Sequence, residues 1–236
     1  SVIVHVEESG DYHIGFYDFS DGKKGWSLYI DNVGMDEVIG VIPSVVNDLN
    51  VSPAPSGVLR AMLSFTAPEK DAKGGTLNED VSVTINRNGT LVNMFTDVAP
   101  GTALSWTDDE ISVSDTYTYS VFASTEYGDG EAVSVSSYVG IDVPGSVSNV
   151  SIKEDSDGNA LLNWSAPTVG SHGGYFDNSD INYRILRSDG VVVAQNYHET
   201  SFVDSNLPVN NSQELIYYVI TAYAGSAKGD YFMTES

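Results

Sequence analysis

The chain repeats itself at a spacing of 99 residues, and this repeat limits the possible fold more than any other feature of the sequence. A length of 236 residues is enough for two ordinary domains. The blocks that match at this spacing are LSFTAP (63–68) with LNWSAP (162–167), GG (74–75) with GG (173–174), and VFA (121–123) with ITA (220–222). Several blocks in the same order and spacing predict two copies of one structural unit.

The matched blocks have the residue pattern of β-strands. Apolar and polar residues alternate around Leu63 and Phe65, and again around Leu162 and Trp164, which places one face in a core and the other in water. A further alternating run ends at the dipeptide Asn88-Gly89, a strong hairpin signal. No helical period lies between the strands, so a parallel α/β fold is excluded. We predict an all-β chain with two tandem immunoglobulin-like sandwiches.

The charge of the chain excludes several kinds of partner. There are 33 acidic and 10 basic residues, for a net charge of −23, without clusters of Lys and Arg. Neither nucleic acid nor an anionic membrane surface would attract such a chain, and the acidity favours solubility. The absence of cysteine excludes disulfides, thiolate metal sites and a cysteine nucleophile. The sequence contains no run of about 18 apolar residues, so no membrane-spanning helix is predicted.

No catalytic pattern is present, so we predict that the chain is not an enzyme. The four histidines have no zinc-ligand spacing, and no Gly-x-Ser-x-Gly sequence occurs. A glycosidase needs two carboxyl groups in a cleft, which a small sandwich rarely provides. The carboxylates at 108–110, 155–157 and 177–180 fall where loops are expected, and we interpret them as solvated turn residues; a calcium site is the alternative, although no EF-hand spacing supports it.

The pattern of each unit resembles the fibronectin type III family. The residues that carry the resemblance are an entering proline (Pro43, Pro144), Leu-x-(Phe/Trp)-x-Ala-Pro, and a late Tyr-x-Tyr-x-Val-x-Ala. The resemblance implies that Phe65 and Trp164 are core residues and that Tyr117 forms the tyrosine corner. In the second unit Ile216 stands at the corner position, so that hydrogen bond is not expected there.

The resemblance also gives the domain boundaries and an expected location. We predict module 1 at 43–143 and module 2 at 144–236, joined so closely that the pair is semi-rigid. The sequence SHGGYFD at 171–177 is similar to a segment common in such modules from secreted Bacteroidetes proteins. The location that this implies is extracellular, either secreted or at the cell surface.

The first 42 residues have a different pattern. They contain three strand-like stretches and resemble the closing strands of a jelly-roll domain of the MAM or cleaved-adhesin type. Three strands alone would be marginally stable. Either earlier strands precede this sequence, or these strands pack on the modules, or they form a dimer with a second chain.

Two groups of residues are candidates for binding. Aromatic rings near predicted loops could stack on a sugar; these are Trp26, Tyr127, Tyr175 and Phe176. Carboxylates near the N-terminal strands could bind calcium, the one cofactor that the sequence suggests; these are Asp18, Asp21 and Asp31. The tripeptide Lys228-Gly229-Asp230 is expected in the loop between the last two strands, where glycine and flanking charges favour a turn.

These observations predict non-catalytic structural or interaction modules of a larger secreted or surface protein. The modules would space or present an adhesive or carbohydrate-binding domain, and the partner would be an extracellular protein or a glycan. The alternative is an accessory region of a larger secreted peptidase or glycoside hydrolase whose active site lies outside this chain.

Overall fold

The computed structural model describes residues 40–208 and 215–234, and within these ranges the chain is built of β-strands and one 3₁₀ turn, Pro55–Gly57. The strands of the first half are β1 (Asn47–Pro53), β2 (Ala61–Thr66), β3 (Val81–Arg87), β4 (Thr90–Val98), β5 (Ala103–Asp108), β6 (Asp115–Thr125), β7 (Gly128–Asp129) and β8 (Val133–Val139). The strands of the second half are β9 (Ser148–Glu154), β10 (Ala160–Ser165), β11 (Ile181–Arg187), β12 (Val192–Tyr197), β13 (Ser201–Asp204), β14 (Tyr218–Ala224) and β15 (Ala227–Met233).

Each half folds into two antiparallel sheets with the same strand order. In module 1, β1-β2-β5 form one sheet, and β4-β3-β6-β8 form the other, with the short β7 also paired to β6. In module 2 the corresponding sheets are β9-β10-β13 and β12-β11-β14-β15. A three-stranded sheet packed on a four-stranded sheet is an immunoglobulin-like sandwich. The predicted fold class, two tandem β-sandwiches, is confirmed.

The alternating residues of the sequence line two separate cores. In module 1, Leu63 and Phe65 of β2 are buried against Val83 and Ile85 of β3. In module 2, Leu162 and Trp164 of β10 lie in a second core cluster with residues of β11 and β14. The core positions predicted for Phe65 and Trp164 are therefore confirmed, with exposures of 3% and 5%.

A partly buried ion pair joins the two sheets of module 1. The guanidinium of Arg87, on β3, donates to both carboxylate oxygens of Asp108 at the end of β5, with Nη1–Oδ2 at 2.7 Å. The hydroxyl of Tyr119, on β6, donates to Asp108 Oδ2 at 2.7 Å. Burial is the main reason that the pKa of Tyr119 is raised, and the neighbouring carboxylate adds to this shift. The interpretation of Asp108 as a solvated turn residue is wrong, because it is 1% exposed.

Module 2 contains the same network with two additional partners of the arginine, Asp189 and the carbonyl of Asn206. Arg187 Nη1 lies 2.8 Å from Asp204 Oδ2, and the hydroxyl of Tyr218 donates to the same oxygen at 2.9 Å. Arg187 also forms a bidentate contact with Asp189 in the following turn. Arg87 and Arg187 lie at the ends of equivalent strands; Arg187 is buried and Arg87 is partly buried, and a carboxylate of the facing sheet neutralises each of them.

The structure shows where the predicted tyrosine corner of module 1 and the tripeptide at 228–230 of module 2 lie. The hydroxyl of Tyr117 donates to the carbonyl of Val113 at 2.9 Å, so the tyrosine corner of module 1 is confirmed. The tripeptide Lys228-Gly229-Asp230 lies within β15 instead of in a loop, and that expectation is wrong. The N–H of Asp230 donates to the carbonyl of Pro144 at 2.9 Å, so this segment fastens the start of module 2 to its last strand.

Candidate functional site: the junction of the two modules

The structure separates the aromatic residues that the sequence singled out. Tyr127 is exposed in the turn between β6 and β7, where its ring leaves no space for a side chain on Gly40. Tyr175 and Phe176 both lie in the loop of module 2 that meets the linker. Tyr175 is 43% exposed, whereas Phe176 is 6% exposed. The Phe176 ring is therefore buried and not available for stacking on a sugar. Trp26, Asp18, Asp21 and Asp31 lie outside the described residues.

The linker pairs with module 2 through its backbone. Ile141 and Tyr175 form a parallel bridge, and the N–H of Asp142 donates to the carbonyl of Tyr175 at 2.6 Å. On the other side of Asp142, the carbonyl of Val143 accepts the N–H of Ser171 at 2.8 Å. A linker with regular hydrogen bonds to one module is an extension of that module's structure and not a free tether.

Asp142 is the centre of the junction. Its side chain is fully buried and accepts four hydrogen bonds. Oδ2 accepts the backbone N–H groups of His172 at 2.8 Å and Gly174 at 3.0 Å. Oδ1 accepts the N–H of Val143 at 2.8 Å and lies 2.8 Å from Nδ1 of the His172 ring. One linker carboxylate therefore holds both the backbone and a side chain of the module 2 loop.

The charges at the junction are coupled. Burial alone would raise the pKa of Asp142, but the hydrogen bonds from His172, Val143 and Gly174 outweigh it and lower that pKa. The hydrogen bond to Asp142 raises the pKa of His172, and the negative charges of Asp142, Asp230 and Asp115 act in the same direction. Protonated His172 and ionised Asp142 thus stabilise each other.

Module 1 contributes a ring to the same cluster. Tyr138, on β8, stacks on His172 with ring centroids 5.1 Å apart and an interplanar angle of 12°. The hydroxyl of Tyr138 donates to the carbonyl of Ile141 at 3.2 Å. Burial, followed by the charges of Asp142 and Asp115, raises the pKa of Tyr138. The stack joins a strand of module 1 directly to a loop of module 2, so the contact restricts rotation of one module against the other.

The equivalent loop of module 1 explains why Asp142 is needed. There, Asp71 belongs to the loop itself, and its Oδ1 accepts the N–H groups of Lys73 at 2.7 Å and Gly75 at 2.9 Å. At the spacing of 99 residues, Gly170 occupies the position of Asp71. Module 2 has no carboxylate of its own at this position, and Asp142 of the linker accepts the same two backbone donors.

Two glycines make room for this exchange. A Cβ on Gly170 would overlap the carboxylate of Asp142, and a Cβ on Gly174 would overlap the ring of Tyr138. Gly170 does not have a positive φ, so the backbone there would accept another residue type. Gly170 is required because of the incoming side chain and not because of the turn.

The sequence does not predict the junction, although it contains one signal. Aligning the repeats shows an aspartate in loop 1 opposite a glycine in loop 2, and a single acidic residue in the linker two positions before Pro144. Without the structure, nothing connects these two facts. The spacing of the four histidines tests only whether His172 is a zinc ligand. In the structure the His172 ring pairs with one carboxylate, that of Asp142, and this does not support a metal site.

The described residues show no arrangement for metal binding. Within 40–208 and 215–234, no three His, Asp or Glu side chains come together as a metal site requires. The same part of the chain contains no helix with the length and hydropathy needed to cross a membrane. The calcium prediction at Asp18, Asp21 and Asp31 stays a prediction.

The chain resembles known tandem fibronectin structures at low sequence identity. The FN1-FN3 domains of chicken CNTN1 share 18% identity over 84% of this chain and 68% of that chain, with a TM-score of 0.33. A two-domain fibronectin type III segment of chicken tenascin shares 16% identity over 80% of this chain and 97% of that chain, with a TM-score of 0.30. The central fibronectin III array of RIM-binding protein shares 13% identity over 83% and 69% of the two chains, with a TM-score of 0.31.

No family model and no curated protein sequence matches the chain. The fold assignment rests on the strand order and register of the two sandwiches.

Proposed function

We propose that residues 40–236 are a non-catalytic spacer of a secreted or cell-surface protein, and that they hold their neighbours at a fixed mutual orientation. The observation that carries this proposal is the buried Asp142, which fastens the linker to module 2 while Tyr138 of module 1 stacks on the same loop. A flexible tether would have no use for a buried, four-fold hydrogen-bonded carboxylate, because burial of an ionised group is costly unless its partners are fixed.

A spacer of this kind acts by geometry. Two modules that rotate freely would let an attached domain sample many directions, whereas a fixed pair presents it in one direction and at one distance. An adhesive or carbohydrate-binding domain attached to this pair would gain from such presentation, since less orientational freedom is lost when it binds. The acidic surface keeps the spacer soluble and away from anionic surfaces.

Residual dipolar couplings of the full chain test the proposal directly. For one rigid body, the couplings of module 1 and module 2 fit a single alignment tensor. We expect this for the wild type, and we expect Asp142→Ala to give two tensors of different magnitude. Two different tensors in the wild type would contradict the spacer proposal, whatever the stability of the modules.

A ligand surface is a second part of the proposal. Tyr175 is exposed beside Ile141, which is 59% exposed, and both flank the junction. We propose that an extracellular protein or glycan binds at Tyr175, and that Tyr127 is the next candidate for a contact. A glycan array with the full chain, repeated with Tyr175→Ala, checks it: loss of a signal in the variant supports the site, and an unchanged signal removes Tyr175 from consideration.

A further inference from the structure

A groove with a volume of about 320 Å³ lies in module 2 next to the linker. It is lined by residues 145, 146 and 148 at the start of the module, by the loop at 167–171, and by Asp230 on β15. Gly145, Pro167 and Gly170 are buried and form its floor. The N–H of Gly145 donates to the carbonyl of Val169 at 3.1 Å, so the backbones of the two sides are joined. The volume lies at the lower end of the range for small-molecule sites, so the groove suits one unit of a larger ligand.

The walls of the groove carry four hydroxyl groups and one carboxylate. The hydroxyls belong to Ser146, Ser148, Thr168 and Ser171, and the carboxylate belongs to Asp230. Ser171 Oγ donates to Asp230 Oδ2 at 2.6 Å, and Ser146 Oγ donates to the carbonyl of Tyr231 at 3.3 Å. Because these two serine protons are already used, Ser146, Ser171 and Asp230 offer oxygen lone pairs to a ligand. The hydroxyls of Ser148 and Thr168 can donate as well as accept.

Module 1 shows that the fold does not require these hydroxyls. The bridges Pro43–Asp71 and Pro144–Gly170 are equivalent, and they align the two modules at this end. Ser146, Ser148, Thr168 and Ser171 correspond to Val45, Asn47, Glu69 and Ala72 of module 1. All four hydroxyls are missing there, although the strand order and the loop are the same. The hydroxyl-lined groove is therefore a feature of module 2 and not of the sandwich.

We propose that this groove binds one unit of a neutral carbohydrate. Each sugar hydroxyl both donates and accepts a hydrogen bond, which matches walls that combine fixed acceptors with hydroxyls able to donate. Of the described residues that line the groove, none is basic. A phosphate or an acidic sugar would therefore meet no positive charge, and the carboxylate of Asp230 would repel it.

A cation is the rival ligand, because Asp230 is negative and the chain has a net charge of −23. An ammonium group has three donors and no acceptor, so it would leave the hydroxyl protons of Ser148 and Thr168 without a partner on the ligand. A metal ion needs several carboxylate or imidazole ligands together, and the described part of the chain brings no three of them together. A neutral sugar is the ligand class that uses every polar group of the groove. The site is separate from Tyr175, and the inference requires neither a contact there nor a rigid pair of modules.

Amide ¹H–¹⁵N NMR spectra of the full chain, titrated separately with glucose, galactose, mannose and N-acetylglucosamine, test this proposal. We expect at least one sugar to shift the amide signals of Gly145, Gly170 and Ser171. Asp230→Ala should weaken that binding roughly 10-fold or more, because a hydrogen bond to a charged group is lost. Ser171→Ala introduces the residue that module 1 has and should also weaken it. Ser156→Ala is the matched control, since it removes an exposed serine hydroxyl in the turn after β9, outside the groove.

Each result decides the proposal. Binding that Asp230→Ala and Ser171→Ala weaken and Ser156→Ala retains supports it. Unshifted groove signals with all four sugars overturn it, and so does binding that Asp230→Ala leaves unchanged. Titration with N-acetyl-lysinamide, which carries an ammonium group, tests the rival: groove shifts with this probe and none with the sugars would assign the groove to a cationic side chain and overturn the proposal. Shifts confined to Tyr175 and Ile141 would support the ligand surface at the junction and overturn the groove.

Discussion

Asp142 has two effects that can be measured separately: it stabilises the 170–174 loop of module 2, and it fixes the orientation of module 2 against module 1. A variant that carries a carboxylate in the loop and none in the linker would keep the first effect and lose the second. Asp142→Ala removes the acceptor of the His172 and Gly174 N–H groups. Both donors are partly buried, so each orphaned group costs about 1 kcal/mol, which gives a loss of about 2 kcal/mol in the free energy of unfolding. For a module of this size, that lowers the melting temperature of its transition by roughly 10 °C.

The double variant Asp142→Gly/Gly170→Asp should reverse only part of this effect; glycine is used at position 142 because a Cβ on residue 170 would lie 2.6 Å from the Cβ of Asp142. It gives loop 2 its own carboxylate at the position that Asp71 occupies in loop 1, where the same two backbone donors are satisfied locally. We expect the melting temperature of module 2 to return close to the wild-type value, because the hydrogen bonds of the loop are restored. The linker has no carboxylate in this variant, so the modules should reorient independently.

Differential scanning calorimetry and residual dipolar couplings of the full chain provide the two measurements. The single variant should show a destabilised module 2 and two alignment tensors, and the double variant a stable module 2 and two tensors. Gly170→Asp alone is the control, and it should be destabilised because two carboxylates would compete for one position. A double variant that keeps a single tensor would refute the reasoning, since the modules would then be fixed by contacts other than Asp142.

Three further predictions concern pH and the buried polar groups. The pKa of His172 is raised in the folded state, so the stabilisation by protonated His172 is complete below about pH 6.5 and is lost as the pH rises through the folded pKa. Melting temperatures measured against pH should show this loss. The variant His172→Asn should not show this pH dependence. Tyr218→Phe removes a hydrogen bond to a buried carboxylate and should lower the free energy of unfolding in urea by about 2 kcal/mol. Tyr183 is also fully buried, but its hydroxyl has no hydrogen-bond partner in the described structure, so Tyr183→Phe should be neutral or slightly stabilising. Equal losses in the two variants would contradict this assignment. Arg87→Met should lower the free energy of unfolding by about 3 kcal/mol, because it leaves Asp108 charged and buried, and a loss much below 1 kcal/mol would show that water reaches that carboxylate.

The sequence predicts the sandwiches well because their signal is local. Alternation at Leu63 and Phe65, or at Leu162 and Trp164, states directly which side chains are buried, and the repeat shows that the same unit occurs twice. The tyrosine corner at Tyr117 is predicted by the resemblance to fibronectin type III modules, and its acceptor, the carbonyl of Val113, lies only four residues away.

The charged contacts are less visible because they join distant positions. Asp108 has the composition of a turn residue, and only its contact with Arg87, 21 residues earlier, makes it part of the core. The repeat does contain one usable signal, because Arg87 and Arg187 end two matched strands at positions that face the core. An arginine that faces a core needs a carboxylate partner, so the pair predicts buried acidic residues. The junction depends on Asp142 meeting a loop 30 residues later, in a different module. No pattern within either repeat contains that information.

The exchange of Asp71 for Asp142 has a practical consequence for where the second module can be cut from the first. A fragment that begins at Pro144, the residue at which the repeat begins, lacks the carboxylate that completes its own loop, and also lacks the backbone carbonyl of Val143 that accepts the Ser171 N–H. A fragment that begins at Gly140 retains both. The repeating unit read from the sequence and the unit that contains the hydrogen-bond acceptors of its own loop are therefore offset, and module 2 includes at least two residues that precede its first proline.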